Sequence, residues 1–305
     1  MHAWEMTNSA LLAQLRGGAG IVAALDQSGG STADALASYG VAKESWSSDA
    51  EMFALIHRMR ERVMTAARFD GRQIIAAILF EGTLDHRIQG RTVPAYLRSR
   101  GIASFLKIGA GLESESDGVQ LLKPISSLDA LFERARSLGV IGTKMRSVIH
   151  RANAAGVAAV VEQQFALAEQ IAAVGLLPIL EPEVSIAAVD RASVEDALAG
   201  AIISRLDALT GDRQVVLKLT IPERADTYAA LAGHHRVVRV LALSGGFTRS
   251  EACHRLAFNH GMIASFSRAL LENLDHRMND LAFNGALGEA IDQAYAASTL
   301  KHAGA

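Results

Sequence analysis

Eight short apolar runs, separated by longer segments of helical composition, recur along the whole chain. The runs are GIVAALD (20–26), QIIAAILFE (73–81), SFLKIG (104–109), VIGTKMR (140–146), LLPILEPE (176–183), QVVLKL (214–219), RVVRVLALSGG (236–246) and GMIASFS (261–267). Such alternation is typical of parallel strands that are joined by helical crossovers. Eight units in 305 residues predict an α/β fold, a (β/α)8 (TIM) barrel, and the alternative is an open doubly wound sheet.

The stretches between the runs indicate a single domain. RANAAGVAAVVEQQFALAEQIAAVG (151–175) has helical composition and ends at Gly175, a residue type that commonly terminates helices. The sequence contains no linker rich in Pro, Gly or Ser and no short-period repeat. We therefore predict one barrel domain over residues 1–305, with an N-terminal helix and a short C-terminal tail.

Composition argues against several classes of protein. The net charge is −2, so binding to nucleic acid or to a membrane surface has no overall electrostatic support. The single cysteine, Cys253, precludes an intrachain disulfide and fits a reducing cytosol. The first 18 residues favour a helix over a signal peptide, and no apolar run reaches the roughly 20 residues that span a bilayer. These features predict a soluble, cytoplasmic protein without a nucleic-acid or membrane partner.

Charged and small polar residues lie late in the apolar runs or directly after them. They are Asp26, Lys107, Lys144, Arg146, Glu181, Glu183, Lys218, Ser244, Gly245, Gly246, Ser265 and Arg268. Because the strands of such a barrel end at one rim, we expect these residues to converge there. Residues two apart share a strand face, so Lys144 points the same way as Arg146. A single charge at a strand end is usually solvated or ion-paired, but the whole set predicts a charged pocket.

The chemistry of that pocket depends on Lys218, which interrupts the apolar stretch QVVLKLT (214–220). Desolvation and nearby cations lower the pKa of a lysine amine, and the neutral amine forms a Schiff base with a carbonyl group. Glu181 or Glu183 could transfer protons while the carbinolamine loses water, and Asp26 could take a hydroxyl proton as a carbon–carbon bond breaks. The remaining cations could hold anionic groups of a substrate. These cations are Lys107, Lys144, Arg146 and Arg268.

Two glycine-rich turns that follow strands indicate phosphate binding. ALSGGFTRSEA (242–252) places Ser-Gly-Gly after the seventh run and a capping-box pattern, Thr248-x-x-Glu251, at a helix start. DQSGGSTAD (26–34) follows the first run. Free backbone N–H groups at such turns bind anions, so the pair favours a substrate with two phosphates, or one phosphate and one tight turn.

Other cofactor signals are missing from the sequence. Neither glycine-rich turn has P-loop spacing, and no Gly-x-Gly-x-x-Gly occurs in a strand–turn–helix context, so neither NTP nor NAD is expected. The histidines lack the two-His-plus-carboxylate spacing of a catalytic zinc site. We therefore predict no metal and no cofactor.

Several segments together resemble class I fructose-1,6-bisphosphate aldolases, in particular the short bacterial form. They are AALDQSGGST, ILFEGTLD, SFLKIG, DGVQLLKPI, GTKMRSVI, PILEPEV, VVLKLTIP, RVVRVLALSGG and GMIASFSRAL. The similarity extends from about residue 15 to residue 299. It implies a metal-independent enzyme that reversibly cleaves fructose 1,6-bisphosphate to dihydroxyacetone phosphate and glyceraldehyde 3-phosphate through a lysine Schiff base.

The resemblance also implies a role for each matching residue. Lys218 is similar to the Schiff-base lysine, Glu181 to the acid–base glutamate with Glu183 beside it, and Asp26 to the base on the C4 hydroxyl. Lys144 and Arg146 match the basic pair beside the imine, where Lys144 helps to keep Lys218 neutral. Ser244, Gly245, Gly246, Ser265 and Arg268 match the C1-phosphate site, and Ser28, Ser31 and Lys107 match the C6-phosphate site.

Two departures from the family pattern leave alternatives open. Gly109 and Ala110 stand where the family often has an acid and a base, which changes the charge around Lys107. The chain also lacks a terminal tyrosine, and Tyr295 is expected to be a core or surface aromatic of the last helix. The alternatives are an aldolase for a related ketose or singly phosphorylated sugar, and a binding or scaffold barrel without catalysis. The intact Lys218, Glu181 and Asp26 argue against the scaffold, and a homo-oligomer is compatible with the sequence.

Overall fold

The computed structural model describes residues 3–302, with side chains from residue 8 onward, and a barrel of parallel strands forms its centre. The barrel strands are β1 (Ile21–Leu25), β2 (Ile74–Leu79), β3 (Ala103–Lys107), β4 (Gly142–Ile149), β5 (Leu177–Val184), β6 (Val215–Thr220), β7 (Val237–Leu243) and β8 (Met262–Ala264). Each strand pairs in parallel with the next one along the chain.

The two ends of this sheet meet and nearly close the barrel. The Ala24 N–H of β1 donates to the Phe266 carbonyl, just after β8, at 3.1 Å. The strand order is consecutive and lacks the reversal that defines a doubly wound sheet. The predicted (β/α)8 barrel is therefore confirmed, and the open doubly wound sheet is wrong.

Helices alternate with the strands around the outside of the barrel. They are α1 (Ala3–Gly17), α2 (Gly30–Ser38), α3 (Asp49–Thr65), α4 (Val93–Ser99), α5 (Leu128–Ser137), α6 (Ala154–Ala173), α7 (Arg191–Asp207), α8 (Ala229–Ala232), α9 (Arg249–Ala257), α10 (Arg268–Leu271) and α11 (Asp280–Thr299). Short 3-10 turns lie at Lys43–Ser45 and Glu81–Asp85, and Arg87–Ile88 pairs with Arg91–Thr92 as a small antiparallel hairpin. Within residues 3–302, no helix has the length and apolar character needed to cross a membrane.

The helix ends agree with local sequence signals. The Thr248 hydroxyl accepts a hydrogen bond from the Glu251 N–H at 3.3 Å and caps α9. The Glu251 carboxylate instead binds Arg255, so only half of the predicted capping box forms. Gly175, just after α6, has a φ of 79°, a conformation in which glycine carries no Cβ penalty.

Apolar side chains fill the barrel interior up to the level of the site. Members of this interior cluster include Val22, Ile78, Phe105, Ile179, Val216, Leu241 and Ile263. The N-terminal helix α1 closes the opposite end of the barrel, because its Leu11 and Leu15 join the same cluster. Arg239 of β7 fastens this helix by donating to the carbonyls of Leu15 and Gly18, at 2.9 Å each. The amino-terminal end is thus packed and the carboxyl-terminal end is left open.

Candidate active site

One cavity at the carboxyl end of the strands gathers the charged residues. It is lined by Asp26, Gln27, Ser31, Asp34, Lys107, Lys144, Arg146, Glu181, Glu183, Lys218, Leu243, Ser244, Gly245, Ser265, Ser267 and Arg268. Every residue that was predicted for the site lines this cavity, except Ser28 and Gly246. Ser28 lies beside it as a hydrogen-bond partner of Lys107, and Gly246 follows the lining residue Gly245.

Strands β4 and β5 carry charges in their interior, not only at their ends. Lys144 and Arg146 were expected to close the fourth strand, yet β4 continues to Ile149. The extension is paired on both sides, because the short strand Val119–Gln120 pairs antiparallel with the end of β4 and the end of β5 pairs parallel with it. The strand β5 likewise reaches Val184, one residue beyond Glu183.

A chain of ion pairs forms the buried centre of the cavity. Lys144 Nζ lies 2.6 Å from Asp26 Oδ2 and 2.6 Å from Glu181 Oε2. Glu181 Oε1 lies 2.9 Å from Lys218 Nζ. Two cations and two carboxylates balance one another, which offsets the cost of removing them from water. These ion pairs supply the charged partner that Lys218, buried within β6, requires.

The electrostatics of these ion pairs fix the charges of Asp26, Glu181 and Lys144 at neutral pH. Burial alone would raise the pKa of Asp26, but Lys144, Lys218 and Lys107 together hold it well below its usual range. The pKa of Glu181 is also lowered against the effect of burial, chiefly by Lys144 and Lys218. Burial would lower the pKa of Lys144, but Asp26 and Glu181 outweigh burial and raise it. Both carboxylates are therefore ionised, and Lys144 is a permanent cation between them.

Glu183 belongs to a different pair at the mouth of the cavity. Its Oε2 atom lies 2.6 Å from Arg146 Nε. Burial would lower the pKa of Arg146, but Glu183 raises it. Of the two glutamates, Glu181 therefore contacts Lys218, and Glu183 is held by Arg146.

Lys107 lies at one end of the cavity with neutral partners. Its Nζ atom is 2.6 Å from Ser28 Oγ and 3.3 Å from the Asp26 carbonyl oxygen. Ser31 braces this turn, since its hydroxyl accepts from the Ser28 N–H at 3.0 Å and donates to the Ser28 carbonyl at 2.8 Å. Burial, and then Lys144, lower the pKa of Lys107 to about 8. No described carboxylate forms an ion pair with Lys107, so its charge is available to an anion.

The opposite end of the cavity is built from backbone turns and Arg268. Gly245 and Gly246 have φ values of 62° and 119°, which favour glycine. A Cβ on Gly245 would also lie 2.7 Å from Ile186 Cγ2. Arg268 begins α10 and lines the cavity without an ion-pair partner in the described part of the chain. The buried Ser265 hydroxyl likewise has no hydrogen-bond partner among residues 8–302.

The departure from the family pattern after Lys107 has a local structural cause. Gly109 has a φ of 129°, and a Cβ there would lie 2.7 Å from Leu122 Cδ1. The chain turns back at this point, as shown by the bridge between Leu112 and Leu122. An acidic side chain at Gly109 would collide with Leu122 in this conformation.

Sequence reasoning missed several residues around the cavity. Gln27, Asp34, Leu243 and Ser267 line it, and Arg60 contacts Gln27 from below. Gln27 and Asp34 lie within the quoted turn DQSGGSTAD, but neither belongs to a charge pattern at a strand end. Arg60 lies in α3, where an arginine normally faces solvent, so only its burial reveals it. Tyr295 packs on the larger core from α11, and residues 303–305 lie outside the described part.

The fold and the site together define a class, the (β/α)8 enzymes in which a lysine in the cavity is the candidate nucleophile. No protein-family model matches the chain. The chain is 48% identical over 292 residues to the class 1 fructose-bisphosphate aldolase of Synechocystis sp., covering 95% of this chain and 97% of that relative. It therefore belongs to the family of class 1 fructose-bisphosphate aldolases, and it is a lyase.

Two solved structures support the fold. The fructose-bisphosphate aldolase of Plasmodium falciparum, solved with TRAP and a small-molecule inhibitor, superposes with a TM-score of 0.67 at 20% identity, covering 99% of this chain and 96% of that one. A protein of Corynebacterium glutamicum superposes with a TM-score of 0.56 at 14% identity, over 96% and 92% of the two chains.

In residues 8–302, no group of three or more His, Cys, Asp or Glu side chains could hold a metal ion.

Proposed function

We propose that this protein reversibly cleaves fructose 1,6-bisphosphate to dihydroxyacetone phosphate and glyceraldehyde 3-phosphate, without a metal, through a Schiff base on Lys218. The observation that carries the proposal is the buried contact of 2.9 Å between Lys218 Nζ and Glu181 Oε1. The family membership supports the substrate. Lys107 and Arg268, one at each end of the cavity, have no ion-pair partner among residues 8–302 and suit a substrate with two phosphates.

Each phosphate has a set of candidate donors. At one end, Lys107 supplies a charge and Ser28 and Ser31 supply hydroxyls for the C6 phosphate. At the other end, the backbone N–H groups of Gly245 and Gly246 and the Arg268 guanidinium suit the C1 phosphate, with Ser244 and Ser265 nearby. This orientation places the C2 carbonyl of the sugar between the two ends, beside Lys218.

Glu181 can carry the protons of imine formation. As a carboxylate 2.9 Å from Lys218, it accepts a proton from the ammonium group, and the neutral amine attacks the C2 carbonyl carbon. Protonated Glu181 then returns the proton to the departing hydroxyl of the carbinolamine, and water leaves as the iminium forms. Lys144 stays charged and balances the negative charge that moves between the carboxylates.

Asp26 is the candidate base for carbon–carbon cleavage. It accepts the proton of the C4 hydroxyl, the C3–C4 bond breaks, and the electron pair moves into the iminium to give an enamine. Glyceraldehyde 3-phosphate leaves as the aldehyde. A proton then returns to C3, and water hydrolyses the imine to release dihydroxyacetone phosphate and the free Lys218 amine.

Trapping of the imine tests the mechanism. The protein is incubated with dihydroxyacetone phosphate, reduced with borohydride, and analysed by intact-mass spectrometry and peptide mapping. We expect an adduct of one reduced triose phosphate on Lys218, none in Lys218→Met, and full labelling in the control Lys123→Met, which alters an exposed lysine outside the cavity. Absence of the adduct from the wild-type protein, under conditions that label a known class I aldolase, would contradict the Schiff-base mechanism and favour the scaffold alternative.

Substrate choice is tested separately, because the Schiff-base chemistry is the same for a singly phosphorylated ketose. We expect kcat/KM to be higher for fructose 1,6-bisphosphate than for fructose 1-phosphate. Lys107→Met should lower kcat/KM for the bisphosphate and leave the monophosphate nearly unchanged, because only the bisphosphate has a C6 phosphate. Equal effects on both substrates would place Lys107 elsewhere in the mechanism.

The proposed activity also implies binding partners and a cellular location. We propose sugar phosphates as the small-molecule partners and the cytoplasm as the location, which the single cysteine supports. Homo-oligomer formation stays a prediction, and light scattering of the purified protein measures it directly.

A further inference from the structure

Arg60 is a buried cation next to the site. Its side chain extends from α3 and the residue is only 2% exposed. The guanidinium donates a short hydrogen bond to the Gln27 carbonyl, and its Nε and Nη2 atoms each lie 3.4 Å from Gln27 Oε1. Its Nη1 atom donates to Thr83 Oγ1 at 3.3 Å, and the Phe80 ring lies 5.5 Å away.

Those partners are all neutral, which is unusual for a buried charge. Within residues 8–302, Arg60 forms no ion pair with a carboxylate. Burial lowers the pKa of Arg60 to about 10. The charge of Asp26, the residue before Gln27, opposes that effect. A buried guanidinium is costly without a paired carboxylate even when its N–H groups are hydrogen-bonded, so its burial beside the cavity favours a role there.

Gln27 links Arg60 to the barrel seam, which is the junction where β1 meets the segment after β8. Its Nε2 atom donates to Ser267 Oγ at 2.8 Å and to the Ala24 carbonyl at 3.3 Å. Ser267 immediately precedes Arg268, and the seam itself is closed by the hydrogen bond from Ala24 to Phe266. Arg60 therefore fixes the turn after β1, and through Gln27 it reaches the loop that carries Arg268.

The contacts of Arg60 differ from those of the other charges around Asp26. Lys144 of β4, Lys218 of β6 and Lys107 of β3 attract the Asp26 carboxylate, and the charges of Asp26 and Glu181 of β5 repel one another. Arg60 instead approaches from α3 and contacts the backbone one residue beyond Asp26. Arg60 therefore contacts the backbone next to Asp26, and the lysines lower the pKa of the Asp26 carboxyl group.

We propose that Arg60 is a positioning residue for carbon–carbon cleavage, which holds the Gln27 backbone so that the Asp26 carboxylate faces the substrate. The proposal rests on the proposed role of Asp26 as the base. Imine formation uses Lys218 and Glu181 on other strands, so once dihydroxyacetone phosphate is saturating it does not depend on this contact. The two steps should consequently respond differently when Arg60 is replaced.

The test compares cleavage with imine trapping in Arg60→Gln. A misplacement of about 1 Å can cost on the order of 100-fold in rate, so we expect kcat for fructose 1,6-bisphosphate to fall roughly 10- to 100-fold. Borohydride trapping at saturating dihydroxyacetone phosphate should still label Lys218 to the wild-type extent. Arg60→Lys keeps the charge and part of the donor set, and its kcat should lie between those of Arg60→Gln and the wild type.

Arg239→Gln is the matched control. Arg239 also donates to two backbone carbonyls, but at the opposite end of the barrel. We expect this variant to have a lower Tm and an unchanged kcat per folded molecule. If Arg60→Gln behaves in the same way, or if its trapping falls in parallel with its kcat, Arg60 is merely structural and the proposal is wrong.

Three further outcomes separate the positioning role from the proposed function. Should Arg60→Gln not fold, Arg60→Lys is judged by the same separation between kcat and trapping, and a wild-type kcat there overturns the proposal. A wild-type protein that neither cleaves the bisphosphate nor is trapped would refute the proposed function itself. An active wild-type protein with an unaffected Arg60 variant would refute only the positioning role.

Discussion

The lysines of the cavity differ in what they contact, and these contacts give them different electrostatic environments. Lys144 is held between two carboxylates, which raise its pKa. Lys218 shares one of those carboxylates, Glu181. Lys107 binds only a hydroxyl and a carbonyl, and burial lowers its pKa to about 8. Compared with Lys144, Lys107 is therefore the lysine whose charge should change in mildly alkaline solution.

We expect that change to weaken the binding of the bisphosphate. As the pH rises through about 8, Lys107 loses its proton, so its attraction for phosphate is lost and kcat/KM should fall. Lys107→Arg should move this alkaline limb to higher pH, because a guanidinium stays protonated. The measurement is the pH profile of kcat/KM for the wild type, Lys107→Arg and the exposed-site control Lys123→Arg. Superimposable alkaline limbs in all three proteins would assign the limb to another group.

Whether the sequence could predict a residue of the site depends on the environment of that residue. A charge within an apolar strand, such as Lys218, must have a partner or a function, so the sequence alone marked it and its neighbours on the rim. Arg60 lies in a helix of mixed composition, where burial depends on how α3 packs against the barrel. Gly109 looked like a loss of charge, whereas its positive φ and its contact with Leu122 are properties of the folded loop. The functional roles of all these residues stay predictions.

At the scale of elements, each of the eight apolar runs overlaps one barrel strand, because buried parallel strands need continuous apolar sequence. The strand ends were less predictable. β4 runs beyond Arg146, where the two-residue strand Val119–Gln120 pairs with one side of it and the end of β5 pairs with the other. A pairing that short leaves no pattern in the sequence, and it joins segments that are distant along the chain.

The start of β4 leaves no room for a side chain at Gly142. A Cβ on Gly142 would collide with the Leu177 carbonyl oxygen and would lie 2.5 Å from Phe105 Cε1. Gly142→Ala must push β4 away from its neighbours, and overpacking of this kind costs about 1–3 kcal/mol. Because Lys144 lies two residues further on, kcat should fall together with the free energy of unfolding.

Chemical denaturation and steady-state kinetics check this expectation against Gly200→Ala. Gly200 lies in α7 with no atom within 4 Å of an added Cβ, so this substitution should stabilise the protein by about 0.4–1 kcal/mol. Wild-type stability and kcat in Gly142→Ala would mean that β4 has more room than its neighbours indicate.

The whole molecule separates stability from chemistry along the barrel axis. The amino-terminal end is filled with apolar side chains and covered by α1, and the carboxyl-terminal end holds the ion-pair chain and the cavity. The rhythm of the sequence predicted this barrel because its strands follow one another in order. An assembly of several chains has no such signature, since an interface depends on surface shape.

Leu15→Ala tests that separation. Leu15 is fully buried at the closed end of the barrel, so its truncation should cost about 2–5 kcal/mol of unfolding free energy through lost burial and a residual cavity. The control Leu281→Ala removes an 86% exposed side chain and should change stability by no more than about 0.5 kcal/mol. Denaturant titrations measure both effects, and kcat at a temperature where each variant is folded should equal that of the wild type, because the proposed catalytic groups lie on the opposite rim. A reduced kcat in folded Leu15→Ala, with an unchanged control, would show that the packing under α1 is coupled to the site through the barrel interior.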